Sequence, residues 1–253
     1  MSLLERCIIP NWPAPPNVKA LQTTRTGGVS VAPYASLNLG DHVGDAPLAV
    51  ARNRSLLEPL LPGEPVWLRQ EHGTEVVDAA SAACLPQADG SISSRAGAVC
   101  VVMTADCLPV LLCDGKGSVV GAAHAGWRGL CDGVIEKTVR AMNVPPDTLM
   151  AWLGPAIGAH AFEVGEEVRA AFTTKQPGAD AAFAPSLRLP QTGKGIGDKW
   201  LADLYALARQ RLNALGVARI HGGDFCTYTD GERFFSYRRD GATGRMGTFI
   251  WLE

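Results

Sequence analysis

The sequence lacks the features that mark several classes of protein. It has no excess of basic residues, since 23 Lys and Arg stand against 25 Asp and Glu, and a nucleic-acid partner is therefore not expected. It has no apolar run near the ~18 residues that a membrane helix needs, and its first residues do not resemble a secretory signal. These absences predict a cytoplasmic protein that binds neither nucleic acid nor membrane.

Frameworks built on repeated cysteine or histidine are absent as well. The seven cysteines are scattered without a Cys-x-x-Cys pair, which argues against disulfides and against a four-thiolate zinc ribbon. We expect six of them to be small buried apolar residues, with Cys107 as the exception. The five histidines include no His-x-His pair, so the chain cannot build a multicopper cluster, which takes many imidazoles.

The residues that are present predict a loop-rich globular fold. Hydrophobic residues make up 47% of the 253 residues and charged residues 19%, with 28 Gly and 17 Pro, and these values fit a folded protein with many shaped loops. Near-continuous apolar runs predict strands covered on both faces, and helices follow from apolar periodicity and capping residues. Strands are predicted at 18–25, 98–103, 108–113, 119–123, 233–239 and 247–252, and 65–73 is predicted to be a short strand that runs into a turn. Helices are predicted at 130–142 and 198–215, the second between Asp198 and Gly216.

Two further segments have less regular patterns. Residues 36–45 alternate apolar and polar side chains between glycines, which fits either an edge strand or a ligand loop. Residues 173–197 are rich in Pro and Gly, and a connection of that length is expected to be a lid or disordered.

The two apolar runs on either side of residue 115 predict an antiparallel hairpin. A turn centred between Gly115 and Lys116 would place Cys107 directly opposite His124, with Cβ atoms about 4.5–5.5 Å apart. His72 ends its own predicted strand and is followed by a glycine. One Cys and two His supply three ligands of a tetrahedral zinc site and leave the fourth position for water or substrate, which is the catalytic pattern.

The same residues permit a different chemistry. Cys107 and His124 could instead form a nucleophile dyad, in which the imidazole activates a thiolate. His42, His160 and His221 have no comparable neighbours in the sequence. We expect these three to be structural or surface residues.

Two positions in the sequence could bind an anion through arginine: the single Arg128, and a cluster of four arginines near the carboxyl end. Arg128 lies at the start of a predicted helix, where the helix dipole favours negative charge. Near the carboxyl end, Arg233, Arg238, Arg239 and Arg245 alternate with aromatic residues. Arginine forks suit one phosphate or carboxylate, and ordinary salt bridges at strand ends are the alternative.

Seven ordered motifs resemble the YfiH-like family, also called multicopper polyphenol oxidase or laccase-like, and more recently purine nucleoside phosphorylase. The resemblance implies a single α+β domain over residues 1–253, in which mixed β-sheets are flanked by helices as in the catalytic domain of cytotoxic necrotizing factor. The motifs are 24–30 (TRTGGVS), 33–40 (PYASLNLG), 70–73 (QEHG), 104–109 (TADCLP), 123–129 (AHAGWRG), 153–158 (LGPAIG) and 236–241 (SYRRDG).

The resemblance also implies a zinc ion held by His72, Cys107 and His124. Family members are credited with phosphorolysis of adenosine, inosine, guanosine and methylthioadenosine, with adenosine deamination, and in some bacteria with editing of peptidoglycan precursors. The chain departs from the family pattern at Glu71, which brings a carboxylate next to the first ligand. Purine nucleosides and phosphate are therefore the expected partners, and the oligomeric state is left open.

These activities assign roles to further residues. Phosphorolysis needs a phosphate site, for which Arg238, Arg239 and Arg25 are candidates beside Arg128, and Asn38 is a candidate for a ribose hydroxyl or a base edge. Deamination needs a water that the metal activates and a carboxylate that moves protons. That carboxylate would be Asp106 or Glu71.

Two other enzyme classes compete with this interpretation. A copper centre remains open, because two His and one Cys also form blue-copper sites, and phenol turnover by a coloured protein would support it. A cysteine hydrolase acting on amino sugar peptide precursors would keep its activity under chelation and lose it on alkylation of Cys107. A non-enzymatic partner protein would have no evident use for three convergent ligands.

Overall fold

The computed structural model describes residues 2–186 and 199–253 and has a mixed architecture, which confirms the predicted α+β class. The strands in these ranges are β1 (Val18–Gln22), β2 (Pro65–Val66), β3 (Val76–Asp78), β4 (Gly90–Ser93), β5 (Val99–Thr104), β6 (Leu108–Asp114), β7 (Val120–Ala125), β8 (Leu149–Leu153), β9 (Glu163–Gly165), β10 (Phe183–Pro185), β11 (Lys199–Ala202), β12 (Arg219–Gly222) and β13 (Met246–Leu252). The helices are α1 (Pro47–Ser55), α2 (Trp127–Asp132), α3 (Val134–Ala141), α4 (Glu166–Lys175), α5 (Leu204–Ala214) and α6 (Tyr237–Asp240).

The strands form three sheets, two of which mix parallel and antiparallel pairs. The four-stranded sheet has the order β1-β13-β5-β2, and the six-stranded sheet has the order β12-β8-β6-β7-β4-β3. In the first only β2 and β5 are parallel, and in the second β12 with β8 and β3 with β4 are parallel. The small third sheet, β10-β11-β9, is antiparallel.

The two larger sheets pack face to face, and helices cover the outer face of the six-stranded one. In β6, Leu111 and Cys113 belong to the core between the sheets, whereas Val110 and Leu112 belong to the core beneath α2, α3 and α5. Every residue of β5, β6 and β7 is buried. The prediction that these strands are covered on both faces is therefore confirmed.

The predicted hairpin exists, but its register was predicted wrongly. Pro109 faces His124, and Asp114 caps a four-residue turn by accepting hydrogen bonds from the N–H groups of Ser118 and Val119. This longer turn moves the pairing by two residues, so Cys107 is a diagonal neighbour of His124 and does not face it directly. Because side chains alternate with a period of two, a shift of two keeps both residues on the same side of the ladder.

Other predicted elements need correction. The helix predicted at 130–142 is two helices, because Gly133 turns the chain with φ 103° between α2 and α3. Asp198 lies outside the described residues, and residues 199–202 form β11, so the helix begins after Asp203, whose carboxylate accepts the N–H of Ala206 at 2.9 Å. The C-terminal signal was right, since Gly216 has φ 92°.

The structure also decides the form of three further predicted segments, as far as it describes them. The segment 233–239 is a turn followed by α6 and not a strand. The segment 36–45 is a loop and not an edge strand, which were the two forms predicted for it. The first part of the proposed lid, 173–186, contains the end of α4 and all of β10, and its remainder lies outside the described residues. None of the helices within residues 2–186 and 199–253 combines the length and hydropathy that crossing a membrane requires.

Candidate metal centre

Three side chains that the sequence singled out meet at one end of the packed sheets. His72 lies in the loop between β2 and β3, Cys107 lies in the turn that carries the chain from β5 to β6, and His124 lies in β7. Their potential ligand atoms all lie within 4.8 Å of one another, and Cys107 Sγ is 3.6 Å from His72 Nε2. In the part of the chain that the structure describes, this is the only group of three or more such ligands.

The close approach of these side chains depends on Gly126. A Cβ atom at this position would lie 2.7 Å from His72 Cδ2 and 3.0 Å from Cys107 Sγ. Real Cβ atoms do not approach other atoms that closely, so a larger residue here would push the two ligands apart. The glycine of the 123–129 motif is therefore part of the site.

A fourth residue, Asp89, holds the two histidines in place, and the sequence analysis missed it. Its Oδ1 accepts hydrogen bonds from His124 Nδ1 at 2.7 Å and from the N–H of His72 at 3.0 Å. Its Oδ2 accepts the N–H groups of Glu71 and Gly73. Metal-binding histidines usually bond a carboxylate in this way, which fixes the tautomer and the ring orientation. No local motif marks Asp89, because its partners come from distant segments.

The electrostatics of the group favour a deprotonated thiol. Burial raises the pKa of Cys107, but the charge and hydrogen bonds of His124 and His72 outweigh it and lower the pKa to about 6. Burial lowers the pKa of His124, but the Cys107 and Asp89 charges outweigh this and raise it. The pKa of Asp89 likewise lies below its ordinary value, because its bonds to His124 and to backbone N–H groups outweigh the effect of burial. The thiolate is the form that binds metal, and binding would release the imidazole proton.

This donor set fits a metal ion. One thiolate and two imidazoles are a known ligand set for catalytic zinc and also for copper. Nδ1 of His124 already forms a hydrogen bond with Asp89, so Nε2 is the nitrogen left to bind the metal. The residues thus fit a single metal ion with an open coordination position.

A cavity of about 360 Å³ adjoins the three residues. Its wall also includes His42, Thr104, Tyr237 and Arg245, of which only Arg245 was predicted to take part in binding. His42, expected to be structural or at the surface, is an exposed residue of this wall. No Asp or Glu lines the cavity within the described residues.

The predicted proton carriers, Asp106 and Glu71, do not line this cavity. The Asp106 carboxylate is buried and accepts the Thr227 hydroxyl at 2.6 Å and the N–H of Arg238 at 2.7 Å. Asp106 also has φ 90°, so it shapes the turn that presents Cys107. Glu71 is exposed and accepts a hydrogen bond from Gln87.

The residues predicted to contact substrate have largely structural partners. The amide of fully buried Asn38 donates to Gly40 O and to the Asp45 carboxylate, and its Oδ1 accepts the N–H of Arg245. The guanidinium of Arg25 donates to two backbone carbonyls, those of Ala35 and Gly231. Both residues connect loops, and neither lines the cavity.

Four other predicted anion-binding arginines, Arg128, Arg233, Arg238 and Arg239, also lie outside the cavity wall, whereas Arg245 lines it. The guanidinium of Arg239 donates to the carbonyls of Thr227, Tyr228 and Phe234 and makes a two-pronged ion pair with Asp240. The exposed Arg238 donates to a backbone carbonyl, that of Glu163. Arg128 is exposed and stacks over its neighbour Trp127 at 4.4 Å.

Replacing Asp89 with asparagine is expected to weaken metal binding about 10- to 100-fold. Either orientation of the new amide points an NH₂ group at two N–H donors, so the unfolding free energy should also fall by about 1–3 kcal/mol. Competition with a chromophoric chelator and urea unfolding would measure the two effects. The matched control is Asp78→Asn, at an exposed residue that caps the N–H of Ala80, and an unchanged metal affinity in Asp89→Asn would contradict the role given to Asp89.

The chain is similar over most of its length to a protein family, to named enzymes and to a solved structure. The family described as multi-copper polyphenol oxidoreductase laccase matches residues 19–253. The purine nucleoside phosphorylase YfiH of Escherichia coli (strain K12) is 54% identical over 252 residues, covering 98% of this chain and 100% of that protein. The purine nucleoside phosphorylase PA4543 of Pseudomonas aeruginosa is 52% identical over 246 residues, covering 97% and 98%. The crystal structure of Neisseria meningitidis protein NMB0706 is similar with a TM-score of 0.91 and 54% identity, covering 98% and 99% of the two chains.

Proposed function

Because the chain belongs to the multi-copper polyphenol oxidoreductase laccase family, whose relatives in this comparison are named as enzymes, we propose that it is a zinc-dependent purine nucleoside phosphorylase. The observation that carries the proposal is the convergence of His72, Cys107 and His124 on a cavity that also holds an exposed aromatic ring and an arginine. The names of the E. coli and P. aeruginosa relatives support the same activity.

Zinc is the metal that we propose, held by His72, Cys107 and His124. When bound, it would supply a positive charge that stabilises negative charge developing at the reacting centre. The chain's own contribution is to hold the three ligands with Asp89 and to keep the Cys107 thiol deprotonated.

The substrate class that fits the cavity is a purine nucleoside. The ring of Tyr237 is part of the cavity wall, and this residue is 62% exposed. Stacking of a base on an aromatic ring is worth about 1–3 kcal/mol and tolerates different bases. Adenosine, inosine, guanosine and methylthioadenosine are accordingly all proposed substrates.

In the proposed reaction, a phosphate oxygen forms a bond to the anomeric carbon of the ribose while the bond from that carbon to the purine nitrogen breaks. The electron pair of the broken bond leaves with the base, and the hydrogen of the hydrogen phosphate ends on the base. The products are the free purine and ribose 1-phosphate. The cavity must therefore hold a nucleoside and an anion together.

Adenosine deamination has less support from the site. That reaction needs a carboxylate to move protons, and the described wall of the cavity contains none. Asp106 is fully hydrogen-bonded, and Glu71 bonds Gln87. The deaminase activity stays a prediction, for which inosine formed from adenosine is the readout.

The copper alternative is supported by the family description and by the donor set of two His and one Cys, which also occurs in copper sites. All five histidines lie in the described residues, and only two of them join the ligand group, so a single copper centre is the most that this group could form. Intense colour and phenol turnover after copper loading would favour it. The hydrolase alternative, including a role in editing peptidoglycan precursors, predicts activity that survives chelation.

The function is tested by metal analysis together with a nucleoside panel. The purified protein should contain about one zinc per chain, as expected for one three-ligand site, and should convert adenosine and phosphate to adenine and ribose 1-phosphate. Without phosphate no free base should form, and removal of zinc should stop the reaction until zinc is restored. If the zinc-loaded protein leaves every nucleoside unchanged in the presence of phosphate, the proposed function is wrong. The predicted cytoplasmic location remains a prediction.

A further inference from the structure

We propose that Arg245, one member of the arginine cluster near the carboxyl end, and Thr104 form the phosphate subsite of the metal cavity, in place of Arg25, Arg128, Arg238 and Arg239. This inference rests on the proposed phosphorolysis and specifies where its second substrate binds. Both residues line the cavity that adjoins the three metal ligands. Thr104 pairs with Met246 where β5 meets β13, one residue from Arg245, so the two residues are at the same end of these strands.

Arg245 is a cation held at the cavity without an acidic partner. Its backbone N–H donates to Asn38 Oδ1 at 2.9 Å, and its Nη1 donates to the carbonyls of Thr243 and Gly244 at 3.0 and 3.1 Å. Among the described residues no carboxylate forms an ion pair with it, and no protein acceptor is bonded to Nε or Nη2. The guanidinium is therefore fixed from one side and free to bind an anion from the other.

The close packing around Arg245 keeps this geometry. A Cβ atom on Gly40 would lie 2.8 Å from Arg245 Cγ, so the loop that contains Asn38 touches the stem of the arginine. The side chain of Asn38 thus helps to position Arg245, and this role explains why the asparagine is fully buried. The guanidinium carbon lies 5.9 Å from the Tyr237 ring, which puts the anion-binding group beside the proposed base platform.

Thr104 supplies a hydroxyl group that lacks a partner. The residue is 1% exposed, and no described residue hydrogen-bonds its Oγ1. Leaving a buried hydroxyl unsatisfied costs about 1–3 kcal/mol, and such groups are rare in native proteins. An oxygen of a bound ligand in the cavity would satisfy it.

Phosphate is the anion that suits this pair of groups. A guanidinium presents a rigid fork to two phosphate oxygens, and a hydroxyl can donate to a third. The described wall has no carboxylate to repel the anion, and the exposed His42 is a further part of it. Arg245 uses only Nη1 on protein acceptors. In contrast, Arg25 uses Nε and Nη1, and Arg239 uses all three of its guanidinium nitrogens.

The test compares Arg245→Gln, Thr104→Val and Thr104→Ser in steady-state kinetics with adenosine and inorganic phosphate. Arg245→Gln should raise the KM for phosphate about 10- to 100-fold, as expected for loss of a charge-assisted fork, and leave the zinc content and the KM for adenosine unchanged. Thr104→Val should raise the KM for phosphate several-fold without lowering stability, because the hydroxyl has no protein partner to lose. Thr104→Ser keeps a hydroxyl group and should have the same KM for phosphate as the wild-type protein.

Thermal unfolding of the purified protein gives a second readout that needs no turnover. Inorganic phosphate should raise the Tm of the wild-type protein and of the control Arg140→Gln, which alters an exposed residue of α3, and it should not raise that of Arg245→Gln. Loss of this shift in a variant of Arg128 or Arg238, with the shift retained in Arg245→Gln, would overturn the assignment. Phosphorolysis with an unchanged KM for phosphate in Arg245→Gln would overturn it as well, while leaving the proposed function intact. A third outcome is possible: phosphate raises the Tm only when Arg245 is present, and the protein catalyses no phosphorolysis. That result would support the anion site and refute the proposed function.

Discussion

Replacing Cys107 with alanine is expected to abolish stoichiometric metal binding and to lower kcat/KM for adenosine phosphorolysis by about 10³-fold or more. The metal contributes several kcal/mol of charge stabilisation, and each ~1.4 kcal/mol is a factor of ten in rate. Cys107 is the only thiolate of the ligand group, so the two histidines left behind would hold zinc weakly. Elemental analysis of the purified variant and initial rates at several phosphate concentrations would measure both effects.

The matched control is Cys84→Ala, because Cys84 is a free and exposed cysteine outside the ligand group. It should keep its metal and its activity. A Cys107→Ala protein that retains both would refute the metal site. A protein whose activity survives chelation but is abolished by Cys107→Ala would instead support the cysteine hydrolase.

Replacing Gly126 with alanine is expected to be the most damaging single-methyl change at the site. The backbone of Gly126 has φ −61°, which alanine adopts without strain, so the effect is steric. The added Cβ would lie 2.7 Å from His72 Cδ2 and 3.0 Å from Cys107 Sγ, and these two ligands must separate to admit it. Displacements of about 1 Å in a catalytic constellation can cost about 10²-fold in rate. We expect a loss of that order in kcat/KM, with weaker zinc binding in a competition titration.

Gly115→Ala is the control for this change, since its Cβ would meet the end of the flexible Arg219 side chain at 3.3 Å. Its zinc affinity and activity should match those of the wild-type protein. If Gly126→Ala binds zinc as tightly as the control does, the ligands have more room than the structure indicates, and the close contact is not a constraint on the site.

The three proposed ligands could be found from the sequence because the prediction needed only the side of the hairpin on which Cys107 and His124 lie, and not the exact register. The hairpin register was wrong by two residues, since the Asp114 side chain lengthens the turn. The period of two along a strand nevertheless kept Cys107 and His124 on one side. An error of one residue would have separated them.

The residues around the ligands could not be found in this way. Whether an arginine is free depends on which carbonyl groups the folded chain brings to it, and Arg239 finds those of Thr227 and Tyr228. Asp89 was missed because its role consists of bonds to residues 71–73 and 124. These contacts arise from tertiary packing and leave no local pattern.

The over-extended helix at 198–215 has a related cause. Leu201 and Leu204 have the spacing of a helix face, and Asp198 and Asp203 both precede apolar runs. The first of these leucines lies in β11, where it pairs with Ala184 and Glu163 on two neighbouring strands. The apolar spacing fits a helix as well as the observed strand followed by a helix, and pairing with distant strands therefore decided the outcome.

The position of β13 has a consequence for how the protein is made. The last strand of the chain lies inside the four-stranded sheet, and it is the only strand that pairs with β1 in the described residues. Chains emerge from the ribosome amino-terminal end first, so β1 must wait for a partner made more than 200 residues later, and such distant pairing slows folding. Arg245 directly precedes this strand. A ribosome-bound chain thus contains the three proposed metal ligands, His72, Cys107 and His124, before it contains the proposed phosphate-binding residue Arg245.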